Sequence, residues 1–264
     1  MKLNLGLGLL AAALLGGVGT ASADDALKIT GSYGIEIFHQ RYEEPSLNVE
    51  KEGWFGGLVG DAQFEKDFWQ LRLDGRLDYG RTDYSGSGTA SGIDALEGEG
   101  RILVGRAIPM GMSGEHRMTP YIGYGYRRFL DYFGGTRTST GAVGYDRLSQ
   151  YHYVPVGLEV LYHANSEWSF KPTVEYDYLF QGYQDSYIAG DLHNKQDSGY
   201  GLRASLMAIT SFGGQEVEFG PFVRYWNIDR SDIASVRFNG ATILSGYEPA
   251  NNTVEAGLDL KLHF

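Results

Sequence analysis

Ionisable side chains recur at every second position in parts of this chain, most clearly at Arg72, Asp74, Arg76 and Asp78. Successive side chains of a β-strand point to opposite faces, so charges two residues apart share one face. Over the ten predicted strands described below, that face carries 14 acids and 9 bases. In a narrow enclosed space these groups must pair, because an unpaired buried charge costs several kcal/mol. A surplus of carboxylates would instead favour a cation or proton path.

The main members of this candidate lumen charge network share one property, which is that they alternate with apolar residues along predicted strands. They are Glu36, Arg72, Asp74, Arg76, Asp78, Glu97, Glu99, Arg101, Arg127, Glu159, Lys171, Glu175, Asp177, Arg203, Arg224, Glu255, Asp259 and Lys261.

Other kinds of site have less support in the sequence. The six histidines are scattered and no two have the spacing of metal ligands, so we predict no metal site. No glycine-rich motif follows a strand and opens a helix, which gives no support for nucleotide binding, and we predict no cofactor. The net charge of −11 argues against a nucleic-acid partner.

Ten segments with a period of two must position the charges, and they are separated by alternately short and long polar connections. They cover about 27–42, 53–65, 68–82, 94–106, 119–132, 148–163, 168–183, 198–210, a ninth from about 216, and 254–264. In the third, Trp69, Leu71 and Leu73 alternate with the charged set. This regular pattern predicts an all-β protein.

The last segment, residues 254–264, alternates without a break and ends on an aromatic residue. Val254, Leu258 and Phe264 lie on its apolar face, while Glu255 and Asp259 lie on the other. We expect this strand to pair with both strand nine and strand one. We also expect its ladder to begin earlier, near Ala241, because Asn-Gly between two β-prone runs is a strong hairpin signal. Strands nine and ten should then continue as a protruding ribbon, which Pro249 interrupts near the rim.

The long connections are expected at 43–52, 84–93, 133–147, 184–197 and 230–250. Loops on a rigid scaffold commonly carry binding functions. The apolar and aromatic candidates for loop contacts are Tyr187, Ile188, Phe238, Ile243, Leu244 and Tyr247. They can equally well pack loop against loop.

Residues 1–23 have the features of a cleaved signal peptide, with Lys2 before an apolar run and Ala21-Ser22-Ala23 at its end. The remaining residues, 24–264, are long enough for one β domain, and the chain contains no cysteine to form a disulfide. Its 38 glycines and 19 tyrosines suit twisted strands with aromatic belts at membrane interfaces.

Together, the export signal, the alternating strands, the unequal connections and the terminal Phe264 resemble those of bacterial outer-membrane β-barrels in general. The resemblance implies a single closed antiparallel transmembrane barrel with ten strands, located in the outer membrane of a Gram-negative cell. It also implies contact with outer-membrane lipid and lipopolysaccharide, and assembly through machinery that reads the terminal strand.

The ten-stranded omptin proteases are a narrower, partial resemblance. They use two aspartates across the rim from an Asp-x-His pair to activate a water molecule. Asp191-Leu192-His193 is similar to the second half of that site, so Asp191 and His193 are the catalytic candidates. Asp83, however, is followed by Tyr84 and Ser85 and has no Asp-x-Asp partner. The catalytic pattern is therefore incomplete, and we expect no enzymatic activity.

Our interpretation is an integral outer-membrane barrel with a narrow, charge-filled lumen, which has an envelope structural role or a surface-interaction role through its outer loops. A narrow ion or small-solute channel is the alternative, and an omptin-like protease at the rim is a third possibility.

Overall fold

The computed structural model of the protein describes residues 27–112, 114–188, 191–238 and 241–264. The predicted signal peptide, 1–23, lies outside these residues. The strands are β1 (Lys28–Glu44), β2 (Val49–Lys66), β3 (Trp69–Gly86), β4 (Gly88–Arg106), β5 (Ile108–Met110), β6 (His116–Asp131), β7 (Arg147–His163), β8 (Trp168–Ser186), β9 (Leu192–Lys195), β10 (Gly199–Phe212), β11 (Gln215–Ile228), β12 (Ala234–Phe238), β13 (Ala241–Gly246) and β14 (Asn251–His263). The described residues include no helix of the length and hydropathy needed to cross a membrane.

Ten of these strands form one closed antiparallel barrel, which confirms the predicted fold class and strand count. Their order is β10-β11-β14-β1-β2-β3-β4-β6-β7-β8, and β8 pairs with β10 to complete the ring. The short strands β5 and β9 extend the same sheet at its ends. Closure leaves none of the ten strands with a free edge, so their backbone hydrogen bonds are satisfied by neighbours.

The terminal strand pairs on both sides, as predicted. Leu258 of β14 lies opposite Ile37 of β1 and Pro221 of β11. At the end of the chain, the Phe264 amide donates to the Gly31 carbonyl at 2.9 Å, and the Gly31 amide donates back at 3.2 Å. The barrel is thus sealed between its first and last strands down to the final residue.

The two faces of the wall differ as the alternation predicts. Leu58, Val174 and Leu258 on the outer face are 57–66% exposed, whereas Glu97 and Glu255 on the inner face are fully buried. This is the reverse of a soluble protein, because the large apolar side chains cover the outside. Hydrocarbon is the environment that makes such a surface stable.

Two predicted loops are strands instead. The β1–β2 ladder continues to Glu44 and Val49, and the β3–β4 ladder continues to Gly86 and Gly88, across most of the loop expected at 84–93. Towards these ends the outward face is polar too, as at Arg41, Glu43 and Glu50, so the chain loses its apolar alternation without losing its hydrogen-bonded ladder.

The predicted ribbon forms, but not as a continuation of strands nine and ten. Residues of β12 and β13 pair in a separate two-stranded sheet, and β14 begins at Asn251 rather than near Ala241. Pro249 lies in the break between β13 and β14. The expected turn at Asn239-Gly240 lies outside the described residues.

Candidate functional site in the lumen

A compact layer of ion pairs, which we call the central network, crosses the middle of the barrel. Its side chains come from β1, β3, β4, β6, β8, β10, β11 and β14, and each is at most 10% exposed. They are Glu36, Arg76, Asp78, Glu97, Glu99, Arg127, Asp177, Arg203, Arg224 and Glu255. All ten are among the sequence-predicted lumen residues.

Glu255 of β14 connects opposite walls of the barrel. Its Oε1 accepts a hydrogen bond from Arg127 on β6 at 2.7 Å, and its Oε2 accepts one from Arg224 on β11 at 3.1 Å. The Nη2 of Arg76, on β3, is 3.5 Å from the same Oε2. This carboxylate therefore links three strands that are not adjacent to one another. Charge-assisted hydrogen bonds of this kind are about twice as strong as neutral ones.

Glu99 of β4 forms a second connection across the lumen. Arg76 donates to it from Nε at 2.9 Å, and Arg203 on β10 donates from Nη1 at 2.8 Å and Nη2 at 2.5 Å. The Tyr153 hydroxyl also donates to this carboxylate. Arg203 in turn reaches Asp177 at 2.7 Å. The charges therefore form a network and not a set of separate pairs.

Aromatic rings fill the space beside the central network. Trp226 and Tyr153 contact edge to face at 5.1 Å, and Trp226 is 1% exposed. The Arg127 guanidinium lies 5.5 Å from the Trp226 ring centre, and that of Arg203 lies 5.6 Å from it. Cation–π contacts of this kind add to the ion pairing of both arginines. These ring contacts were not predicted from the sequence.

On the short-turn side of the network lies a polar cavity of about 140 Å³. Its lining includes seven acidic and seven basic residues, so the cavity favours neither sign of charge. Arg101 donates to Asp74 at 2.7 and 3.0 Å and to Glu175 at 2.7 Å, while Arg72 donates to Glu159 at 2.8 Å. The remaining predicted lumen residues lie here too: Lys171 pairs with Glu218, and Lys261 lies 3.6 Å from Asp259.

A smaller cavity of about 40 Å³ lies on the other side of the network, towards the long loops. Lys51 pairs there with Asp131, and Arg147 bridges Glu44 at 3.1 Å and Glu248 at 2.5 Å. Sequence reasoning missed Lys51 and Arg147 because it placed both in loops. Extending the inner face of β2 by two residues from Gly53, and that of β7 from Ser149, would have found them.

The protease candidates do not line the lumen. His193 is exposed, and its Nδ1 lies 2.6 Å from Asp185 Oδ1 of the paired strand β8, while its neighbours Leu192 and Asn194 are the buried residues of β9. Asp83 accepts a hydrogen bond from the Gly92 amide at 3.0 Å. Within the described ranges, no hydrogen bond or ion pair connects Asp83 with Asp191 or His193.

The loop candidates are dispersed over the outer rim. The Tyr187 amide donates to the Asp146 carbonyl at 2.9 Å, and Tyr247 stacks with Arg230 at 4.9 Å. Ile188 and Ile243 are 36% and 57% exposed, and Leu244 lies opposite Val236 in the ribbon. The side chain of Phe238 lies outside the described residues. In the loop after β6, burial raises the pKa of the Tyr145 hydroxyl.

In the part of the chain that the structure describes, no group of three or more His, Cys, Asp or Glu side chains is arranged to hold a metal ion. The carboxylates of the lumen are instead held by arginine and lysine side chains.

Comparison with known proteins gives a fold and no family. No family model matches the chain, and no curated protein is similar to it in sequence. Among solved structures, it is similar to the outer membrane protease OmpT from Escherichia coli, with 12% identity, a TM-score of 0.56 and coverage of 93% of this chain and 99% of the protease.

Weaker similarities are to the toluene transporter TodX from P. putida (8% identity, TM-score 0.35, 92% and 90% of the two chains) and a FadL homologue from Pseudomonas aeruginosa (10%, 0.27, 89% and 89%). The chain thus has the fold of a ten-stranded outer-membrane β-barrel.

Proposed function

We propose that this protein is an integral outer-membrane barrel with a sealed lumen, which acts as an envelope structural protein or presents its outer loops as an interaction surface. The observation that carries this proposal is the central network. It lies between two separate cavities, of about 140 and 40 Å³, and its side chains are at most 10% exposed.

Each charged group of the central network has a partner of opposite charge, although one carboxylate oxygen each of Asp78 and Asp177 receives no hydrogen bond. Taking one ion out of water costs several kcal/mol, and only close opposite charges with good hydrogen bonds offset that penalty. The interior of an eight-stranded barrel is just filled by its own side chains, and the lumen of a ten-stranded barrel is only a little wider. The guanidinium groups and aromatic rings of this barrel are large enough to occupy that space.

The proposed partners follow from the proposed position of the barrel in the outer membrane. Membrane lipid and lipopolysaccharide would cover the outer wall, and assembly machinery would recognise the terminal strand at Phe264. Supporting this, the Phe264 side chain is 57% exposed on the outside of the barrel, and its ring lies 6.2 Å from that of Tyr33. An exposed aromatic at the end of the seam is accessible to a binding protein.

We expect the purified protein to show no stable open channels in planar lipid bilayers, because the side chains of the central network, each at most 10% exposed, lie between the two cavities. The measurement is single-channel conductance at neutral pH and high salt. Stable steps of porin size from the unmodified protein would contradict the sealed lumen.

A paired variant shows whether that assay can detect an opened seal. In Arg127→Ser with Trp226→Ala, Glu97 keeps Arg76 and Glu255 keeps Arg224, so no carboxylate is left without a partner. We expect small, measurable conductance from this variant. A silent paired variant beside a silent parent would show that the seal does not depend on these two side chains.

A narrow channel for ions or small solutes is the second candidate function, and the 140 Å³ cavity is the observation that favours it. The equal numbers of acidic and basic residues in its lining suit a small polar or zwitterionic solute better than a simple cation. Small but stable conductance steps from the unmodified protein would favour this narrow channel over the sealed barrel.

The protein is proposed not to be an enzyme, although its fold is shared with a protease. His193 points away from the lumen mouth and pairs with Asp185 at 2.6 Å. We expect no hydrolysis of fluorescently labelled casein by the refolded protein in lipopolysaccharide-containing micelles. Proteolysis that is lost in both Asp191→Asn and His193→Ala, but retained in the exposed control Glu167→Gln, would establish the protease instead.

A further inference from the structure

An apolar groove of about 640 Å³ runs across the outer face of five neighbouring strands, on the half of the barrel that ends in the short turns. One side of the groove is a cross-strand row in which each residue lies opposite the next: Phe170, Ala208, Phe219, Leu260 and Ile35. The other side is the next outward row, two residues further along each strand, from Leu206 on β10 to Ile37 on β1.

The floor of the groove is low because two of these residues are small or cyclic. Ala208 and Pro221 stand between larger side chains. Pro221 has no amide hydrogen, and the β10–β11 ladder has no pair between Ser205–Phe222 and Ala208–Phe219. Beside it, a Cβ on Gly220 would lie 2.1 Å from the Leu206 carbonyl oxygen, so only glycine allows the two strands to approach here.

The dimensions of the groove select its occupant. Rows two residues apart along a strand are separated by about 6.6 Å, which is too narrow for a helix about 10 Å wide. Five strands are four steps of about 4.8 Å, so the groove is about 19 Å long. With strands tilted by about 45°, it spans about 13 Å of depth, close to half of a hydrocarbon core about 30 Å thick. One leaflet's acyl chain has this reach.

We propose that the groove binds one acyl chain of a phospholipid from the leaflet on the short-turn side. The side chains of both rows are apolar, and 37–58% exposed at Phe170, Leu206, Leu258 and Leu260. The groove is continuous with the lipid-facing wall, and its volume lies in the range of about 300–1,000 Å³ that is typical of small-molecule sites. A chain held there is ordered, unlike the freely exchanging lipid around the rest of the barrel.

Native mass spectrometry tests this proposal on protein extracted from its own membrane in mild detergent. We expect the unmodified protein to retain one phospholipid per chain. Ala208→Phe fills the floor and should reduce the retained fraction about tenfold, because the phenyl ring displaces part of the acyl chain from its apolar contacts. Ala204→Phe is the matched control, because Ala204 also faces outwards on β10 but does not line this groove, and it should retain lipid normally.

Both variants must first show the shifted gel mobility of a folded barrel without heating. Equal lipid retention by Ala208→Phe and Ala204→Phe would overturn the proposal, as would an unmodified protein that carries no phospholipid. A bound mass equal to free fatty acid, or a second copy of the chain lost in Ala208→Phe, would also overturn it by naming a different occupant. None of these outcomes depends on whether the lumen conducts.

Discussion

Replacing Glu255 by glutamine is expected to lower the free energy of unfolding by about 3–5 kcal/mol, the loss typical of breaking a buried ion pair by removing one partner. The Glu255 side chain is fully buried and receives hydrogen bonds from Arg127 and Arg224. Glutamine has nearly the same shape, so the change removes the negative charge and leaves the packing in place. Three guanidinium groups, including that of Arg76, would then share fewer carboxylates.

Urea unfolding in phospholipid vesicles, followed by tryptophan fluorescence, gives this free energy. Glu167→Gln is the matched control, because Glu167 lies exposed in the turn before β8, and we expect a change within about 0.5 kcal/mol. A double-mutant cycle with Arg127→Gln should give a coupling energy above about 1 kcal/mol. If Glu255→Gln and Glu167→Gln unfold at the same urea concentration, the central network does not stabilise the barrel.

The wall of the barrel could be predicted from the sequence because its signal is local. In β3, Trp69, Leu71 and Leu73 alternate with Arg72, Asp74 and Arg76. This period-two alternation shows on which face of the strand each side chain lies. Lipid outside and charges inside follow from that pattern. The ends of the strands were predicted less well, because the outward face also becomes polar there and the alternation that identifies a strand disappears.

The partners within the lumen could not be predicted, although the lumen residues could. Arg127 and Glu255 are 128 residues apart and lie on β6 and β14, which are not neighbours. Which charges share a level depends on the register of every ladder between them, and a strand pattern does not contain the register. For the same reason the outward groove could not be predicted, since the five residues of its row from Phe170 to Ile35 align only after five strands are placed in register.

The position of the ribbon shows a third limit. Asn239-Gly240 correctly predicted that two β-prone runs would pair, and Val236 does lie opposite Leu244. The prediction that this ladder would merge with β14 was wrong, because the residues between Gly246 and Asn251, including Pro249, form no strand. A turn signal fixes the local hairpin but not its continuity with the barrel.

Replacing Gly57 by alanine is the second change for which we expect a large loss, of about 3 kcal/mol, at the upper end of the penalty for overpacking. Gly57 lies on β2 opposite Asp78 and faces the central network. A Cβ built there would be 2.1 Å from the Asp78 Oδ1 and 2.2 Å from the Leu77 carbonyl oxygen. The carboxylate cannot rotate freely, because its other oxygen accepts a hydrogen bond from Arg76 at 3.0 Å. The Leu77 carbonyl belongs to the backbone of the adjacent strand, so it cannot move without bending the ladder.

The neighbouring Gly56 provides the control, since its Cβ would point outwards and meet only the Glu36 carbonyl oxygen, at 3.6 Å. Gly56→Ala should therefore change the free energy of unfolding by less than about 1 kcal/mol, in either direction, because alanine also restricts the unfolded chain. The fraction that migrates as folded barrel on an unheated gel, together with urea unfolding in vesicles, measures both variants. Equal stability of Gly57→Ala and Gly56→Ala would mean that β2 and β3 can separate at this level. The central network would then have room for a methyl group beside Asp78, and its packing could not be tight.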